Sequence, residues 1–452
     1  MPTPAERSAI WWVRRDFRVH DNPVITKAQK NHLNVVPVVI ADDTSWFTGN
    51  DPRSRIFQES LARLIQELRK YGGSVLVRAG EPIQELADIL ASTQSSVVYS
   101  LQPDDDKSKN LFRRAESKFQ LLPVKDESRR YSKCTDSLPT GNFRRFFSAW
   151  QSIPLREDNP GNTKSIVFRS LQRNQRSIPI TNTPDRLSIL KRDFFSNRGL
   201  LTNYSSKKDR VDITTTSRLS PFITNGVLSQ SDLFKATKIS VEKNPTMAES
   251  AKEYERQIAW RDYFSTILYK TPEIELRTLD ASLFGIPWVN HEEDYSRWVN
   301  GETGYPIVDS AMRQLATEGW IHNRLRMIVA SFLVKHLLVD WRIGMLHFQS
   351  TLVDHDTAAN SGNWQWIAGT APFSAPYFRI FNPVIQGVKC DPHGSYVRQW
   401  VPELTNVPDK YIHSPWSYRK KTTMYPTPII DHMTARERAL KTFKTARILP
   451  AN

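Results

Sequence analysis

Four clusters in the sequence carry residue types and spacings that do chemistry. On Tyr254–Tyr263, Gln257, Trp260 and Arg261 stand at i, i+3 and i+4 and therefore share one helix face. Trp320, Asn323 and Met327 (i, i+3, i+7) share another, with Arg324 beside them and Arg326 turned elsewhere, toward a carboxylate. An amide, an aromatic and a guanidinium on one face either cap an interface or line a polar pocket. Two such faces in one chain favour the pocket. In LVDHDTAANSGNWQW (352–366), Asp354 and Asp356 are two apart and Asn360 is four further on. Calcium or magnesium would need more oxygens at loop spacing, so recognition of ribose or adenine groups fits as well. Lastly, Thr216-Ser217-Arg218-Leu219-Ser220 precedes Pro221 and a helical run. Its hydroxyls either cap that helix or hold an anion such as a pyrophosphate at its start.

These side chains need rigid elements to aim them, and the sequence supplies two kinds. The first 127 residues alternate apolar runs (Ala9–Val13, Val35–Ala41, Ser74–Val77, Ser96–Tyr99, Leu121–Val124) with helical stretches such as Ile56–Tyr71 and Pro82–Ala91. This pattern predicts an α/β domain over 1–127, Rossmann-like, with a parallel five-stranded sheet covered on both faces. It holds no G-x-G-x-x-G and no P-loop. From 128 to 195 the chain is rich in Ser, Asn, Pro and charge and reads as a connector wrapping the surface, not a folded unit. From 196 to 452 helical periodicity dominates, clearest in Ala251–Tyr269, Pro306–Thr317 and Asn323–Leu338, and predicts an all-α domain.

Composition narrows the function classes. With 39% hydrophobic residues the chain has a real core and is not disordered. It has no apolar run of eighteen residues and no secretory signal pattern, so an intracellular protein is expected, cytoplasmic or associated with the nucleoid. Cys134 and Cys390 match no zinc or iron–sulfur spacing and are expected to be inert, so no metal is expected. The net charge of +15 attracts polyanions. Nine of the 13 Trp residues lie after position 250, which suggests stacking for a flat cofactor or for bases.

Read together, these segments resemble the photolyase/cryptochrome family. The resemblance runs through WWVRRDFRVHDNP (11–23), TSRLSP (216–221), WRDYF (260–264), TGYPIVDSAMRQL (303–315), GWIHNRLRM (319–327), NSGNWQW (360–366), APYFRIFNP (375–383) and VRQWVPEL (397–404). It is most like the dimer-repairing branch, and it implies FAD in the helical domain, active when reduced. Tyr204, Thr216, Ser217, Arg218, Leu219 and Ser220 match positions around its phosphates. Arg261, Asn323, Arg326, Asp354, Asp356 and Asn360 match positions around the flavin and adenine, with Asn360 facing flavin N5. At that position repair enzymes have Asn, plant cryptochromes Asp and animal ones Cys. Trp364, Trp341 and Trp298 match a relay that carries an electron from the surface to the flavin. Trp260 and Trp366 match aromatics that sandwich a flipped pyrimidine dimer, and Asn323 and Met327 match residues bordering it. Arg324, Arg379 and Lys208 match basic positions near DNA phosphates. The implied activity is light-driven electron transfer to a cyclobutane pyrimidine dimer in UV-damaged DNA, ring splitting, and return of the electron. A monomer with no obligate protein partner is expected. A second, antenna chromophore, a deazaflavin or a folate, is the family expectation, although Gln102-Pro103-Asp104-Asp105 does not match a folate site.

Two positions depart from that branch. Gln257 stands where dimer photolyases have Glu; an amide donates to a thymine carbonyl but transfers no proton. Pro372 and Phe373 stand in a loop expected beside the lesion, where they would alter access or stacking. Gln257 is also what (6-4) photolyases use, but those carry a second His where this chain has Asn323. The competing readings are a cryptochrome-like photosensor, a (6-4) photolyase and a basic DNA-binding protein with a vestigial flavin pocket. The short run of chain after DHMTARERALKTFKTAR counts against the photosensor.

Overall fold

The apolar runs of the N-terminal part become five parallel strands: β1 (Ser8–Val13), β2 (Asn34–Ala41), β3 (Leu76–Ala79), β4 (Val97–Leu101) and β5 (Gln120–Val124). Their order in the sheet is β3-β2-β1-β4-β5, and a two-residue strand, β6 (Val167–Phe168), pairs with the start of β2. All six residues of β1 are buried, as a strand covered on both faces requires. The helices Pro23–Gln29, Pro52–Arg69 and Pro82–Thr93 each begin with a proline. Asn22, Asp51 and Glu81 cap them by accepting backbone N–H groups of the first turn. The strand order turns between β1 and β4, so a crevice opens at the C-terminal ends of those two strands. The chain here is described by a computed structural model that covers residues 8–448 apart from 32–33, 127–128, 131–134, 155–166, 169–184, 374–377 and 419–423. Cys134 lies outside the described residues; Cys390 is a buried free thiol.

The stretch read as an unfolded connector contains two helices, Phe143–Ser152 and Arg186–Phe195. The reason is a stripe hidden in polar surroundings: Phe143, Phe146, Phe147 and Trp150 recur at helical spacing. Phe146 and Trp150 are buried, and the Trp150 indole N–H donates to Asp262 at 2.8 Å. Composition registered the Ser, Asn and Pro around the helix and missed the stripe within it.

The C-terminal part is helical, and its spine is the 23-residue helix Ala248–Lys270. Against it lies Thr357–Ala368, so closely that a Cβ on Gly362 would sit 2.1 Å from the Phe264 ring. The predicted helix over 323–338 is regular only to Ser331 and then widens to a π-helical turn, Phe332–His336. Trp320 precedes that helix, whose N-cap is His322, so it does not share a helical face with Asn323 and Met327.

The two halves are keyed at one turn. Phe17 N–H donates to the Asn225 carbonyl (3.1 Å) and the Arg18 guanidinium to that of Gly226 (2.9 Å). Gly226 has φ +68°, and a Cβ there would lie 1.8 Å from the Arg15 carbonyl oxygen. Gly226→Ala is therefore expected to lower stability by about 1–3 kcal/mol from backbone strain alone, with the clash added. Thermal unfolding measures this; an unchanged midpoint would mean that the joint yields without cost.

Candidate active site

One cavity of about 520 Å³ gathers most of the predicted site residues. Tyr204, Thr216, Ser217, Arg218, Leu219 and Ser220 line it, as do Gln257, Trp260, Arg261, Asn323, Arg326 and Met327, and Asp354, Asp356, Asn360, Trp364 and Trp366. Lys208, Arg324, Arg379, Trp298 and Trp341 are not on its wall.

The 216–220 segment reaches the wall through a strained turn, for Arg218 has φ +51°. Its guanidinium pairs with Glu318 at 2.6 Å and lies 4.3 Å from the centre of the Trp320 ring. Those two contacts hold the turn. Leu219, not a hydroxyl residue, is the N-cap of the following helix and makes no side-chain cap bond, so the hydroxyls of this loop are not used as caps. Ser217 Oγ lies 3.3 Å from the Tyr254 hydroxyl, and Ser220 Oγ accepts from the Trp320 indole at 3.2 Å.

Two carboxylate–guanidinium pairs also line the cavity. Arg326 Nη2 reaches both oxygens of Asp354 (3.1 and 2.8 Å), while its Nε donates to the Ile321 carbonyl. Arg261 meets Asp356 at 2.7 Å and donates to Thr224 Oγ1 at 3.2 Å. Asp356 also caps the Thr357–Ala368 helix by accepting from Ala359 N–H. Burial by itself would raise the Asp356 carboxyl, but Arg261, Arg129 and Arg15 outweigh it and hold it well below the usual carboxylate range. Asn360 donates its amide nitrogen to the Met345 carbonyl at 3.0 Å, which leaves its side-chain oxygen for a cavity occupant. His355, missed in the sequence, also lines the wall. Burial pushes its imidazole down to about 4, so it is neutral, and its Nδ1 is buried with no partner. A neutral histidine between two paired aspartates carries no sequence signal beyond its neighbours.

The aromatic residues fall into two sets. Trp260 and Trp366 are half-buried on the cavity wall. Phe143 stacks on Trp260 with centroids 3.6 Å apart and planes within 4°. Phe373, expected to act at the lesion, instead packs edge-on against Tyr263 and Phe264 behind Trp260. Of the three expected relay indoles, Trp364 is on the wall and Trp341 is buried off it at the start of the neighbouring helix Trp341–Thr351, its indole donating to Thr278 Oγ1. Trp298 is 0% exposed, bonded to the Val329 carbonyl and stacked on Phe348. A relay needs a solvent end, and an enclosed indole does not provide one. Trp288, which the sequence reading passed over, is half-buried. The next residues, Val289 and Asn290, bond to Leu338 and Asp340 at the start of the Trp341 helix.

The basic positions are already paired. Lys208 meets Glu253 at 2.6 Å and Arg324 meets Asp209 at 2.7 Å. Gln257 differs from expectation as well: its amide nitrogen donates to Glu253 at 3.0 Å and is not simply waiting for a thymine carbonyl.

At its other end the cavity runs into the crevice at the strand ends, where Arg14, Arg15, Gln102, Asp105 and Ser108 line it. The whole is a pocket shared by an open α/β sheet and a helical bundle, with hydroxyls at one wall, paired charges at another and indoles at its edge. That donor set fits a flavin dinucleotide: hydroxyls for phosphates, an acceptor and cations around a ring system.

Comparison with known proteins agrees. Residues 254–445 match the family described as the FAD binding domain of DNA photolyase, and residues 9–117 the one described as DNA photolyase. The deoxyribodipyrimidine photo-lyase of Escherichia coli K12 is 34% identical over 96% of this chain and 98% of its own. The crystal structure of a Synechocystis cryptochrome superposes with a TM-score of 0.83 at 26% identity, covering 96% of this chain and 99% of the other. An archaeal photolyase from Sulfolobus tokodaii, solved with two FAD molecules, gives a TM-score of 0.77 at 28% identity over 97% and 100% of the two chains. The chain belongs to the DNA photolyase family. It is an FAD-dependent lyase of light-driven DNA repair. Among the described residues no helix is long and apolar enough to cross a membrane.

Arg326→Met tests the charged wall. It strips the cation from Asp354, whose side chain is 3% exposed, and removing one partner of a buried pair costs about 3–5 kcal/mol. The purified variant should lose most of its FAD, read as released flavin per chain. Full retention would show that Asp354 finds another partner.

Proposed function

We propose that the protein splits cyclobutane pyrimidine dimers in UV-damaged DNA, taking the dimer as a flipped-out unit into the mouth of the cavity. The observation that carries this reading is that Trp260, Trp366, Asn323 and Met327, all at least partly exposed, line the same cavity. Enzymes that act on bases inside a duplex extrude them and stack them on aromatic walls. Trp260 suits that task because Phe143 stacks on one face of its ring and fixes its plane. Asn323 is exposed at the opening, where it can present both a donor and an acceptor to a pyrimidine edge. By resemblance, a histidine there would mark the (6-4) branch.

When bound, reduced FAD supplies a light-excitable electron donor. The chain's own residues set the conditions for it. Arg326 and Arg261 would set guanidinium groups beside the ring system, paired with Asp354 and Asp356, and the arginines around Asp356 hold its carboxyl well below the usual carboxylate range. Asn360 offers a fixed oxygen to an N–H. Thr216, Ser217 and Ser220 offer hydroxyls toward phosphates, and Tyr204 closes that wall. Trp364, Trp341 and a solvent end at Trp288 form the proposed electron relay. The crevice at the ends of β1 and β4 is the proposed seat of a second, light-harvesting chromophore.

Lys208, Arg324 and Arg379 are proposed to meet DNA phosphates, which position a duplex without reading its sequence. The first two must share their charge with Glu253 and Asp209, so the long-range attraction rests on the net +15 of the chain. A monomer in the cytoplasm or at the nucleoid accords with such a substrate. The similarity to a cryptochrome supports a photosensor as the second reading.

Illumination of the reduced, FAD-loaded protein with a duplex holding one thymine dimer separates the two. Dimers should disappear in light and persist in the dark; intact dimers with flavin retained would place the chain among photosensors. Binding to that duplex should weaken steeply as salt rises, as counterion release requires. For the relay, Trp288→Phe should abolish light-driven reduction of oxidised flavin by an external reductant, and Trp298→Phe should leave it nearly unchanged. The reverse order would show that the electron leaves through the enclosed indole.

A further inference from the structure

The cavity-facing side of Gln257 is set by a residue that is not on the cavity wall. Glu253 lies one turn earlier on the Ala248–Lys270 helix. Its Oε1 accepts from Gln257 Nε2 at 3.0 Å and from Lys208 Nζ at 2.6 Å, and Arg256 lies 3.7 Å from its other oxygen. The Glu253 side chain is 19% exposed, so water screens these contacts only in part.

An ionised carboxylate can only accept hydrogen bonds, whereas a primary amide has one oxygen and two N–H groups. Glu253 therefore selects one of the two amide orientations of Gln257. With nitrogen toward Glu253 the contact is a charge-assisted hydrogen bond; with oxygen toward it, two acceptors face each other. Once one N–H is given to Glu253, the amide keeps its oxygen and its second N–H. Side by side, these form an acceptor–donor edge. A thymine offers the complement, the N3–H donor beside the C4 carbonyl acceptor.

We propose that Glu253 is a positioning residue for lesion recognition: it fixes the Gln257 amide so that its oxygen and second N–H read the N3–H/C4=O edge of a thymine in the flipped dimer. This rests on the reading that the dimer enters this cavity. Glu253 has a second effect, since it neutralises Lys208 and so restrains binding to undamaged phosphate backbone. Positioning and restraint both raise the ratio of lesion to non-specific affinity, by different routes.

The test measures dissociation constants in the dark, on the FAD-loaded protein, for one duplex with a single thymine dimer and the same duplex without it. Glu253→Gln should lower the lesion preference roughly tenfold, the scale of one hydrogen bond to a charged group. It should also tighten binding to the undamaged duplex, because Lys208 is released to a phosphate. A residue that merely held the helix together would weaken both duplexes alike. In the Gln257→Leu background only the restraint on Lys208 remains to be lost, so Glu253→Gln should lower the preference by less than it does in the wild type. An unchanged preference in Glu253→Gln, or an equal loss in both backgrounds, overturns the proposal. A wild type with no preference for the dimer overturns the repair reading, and this assignment with it. If Glu253→Gln fails to fold, Gln257→Glu gives the answer. It sets two carboxylates in contact that must share a proton, so its lesion preference should fall with rising pH. A flat pH profile in that variant counts against the contact.

Discussion

The link from Arg261 to Asp356 is the contact on which the site depends. Asp356 serves two elements at once: it accepts the Ala359 N–H that starts the Thr357–Ala368 helix, and it pairs with a guanidinium on the Ala248–Lys270 spine. The two helices that carry the indoles, the amide and the acceptor are thus aligned end to side by one carboxylate. Gly362 then permits the close approach by leaving room for the Phe264 ring. A longer separation would part Trp260 from Trp366 and open the cavity to water. The charge is held in an interior that disfavours it because three arginines surround it, so the ion pair is part of a network and not an isolated contact.

Much of this was legible in the sequence, where local pattern and tertiary demand coincide. The five strands read as apolar runs because buried parallel strands need no alternation. The β3 strand fell two residues later than its run, since its pairing with β2 takes Leu76–Ala79. The cavity residues were found because they sit at helical spacings or inside long family motifs. Failures came where the decisive fact was a long-range contact. Nothing near Trp298 in the sequence says that Phe348 and Val329 enclose it. The Glu253–Gln257 pair is different: it stands at i, i+4 on one helix, where neighbouring side chains meet, so its signal was present in the sequence and went unread. The Phe143 stripe failed for another reason: average composition over the connector hid a helical period within it.

The strained turn at Arg218 and the keyed turn at Gly226 show where the fold spends conformational freedom. Both lie between elements, both are held from outside by side chains or carbonyls of another segment, and both border the cavity or the joint beside it. Strain kept at such places is maintained by neighbours that over-determine it. The loop that carries Ser217 is in this way held by contacts within the chain, from Arg218 to Glu318 and Trp320.

The cavity wall belongs to both halves of the molecule, with Arg14, Gln102 and Asp105 on one side and the helical residues on the other. An occupant that touches both sides acts as a mortar course. Its binding energy adds to the cohesion between the halves, and by mass action each increment in free cofactor deepens the folded well.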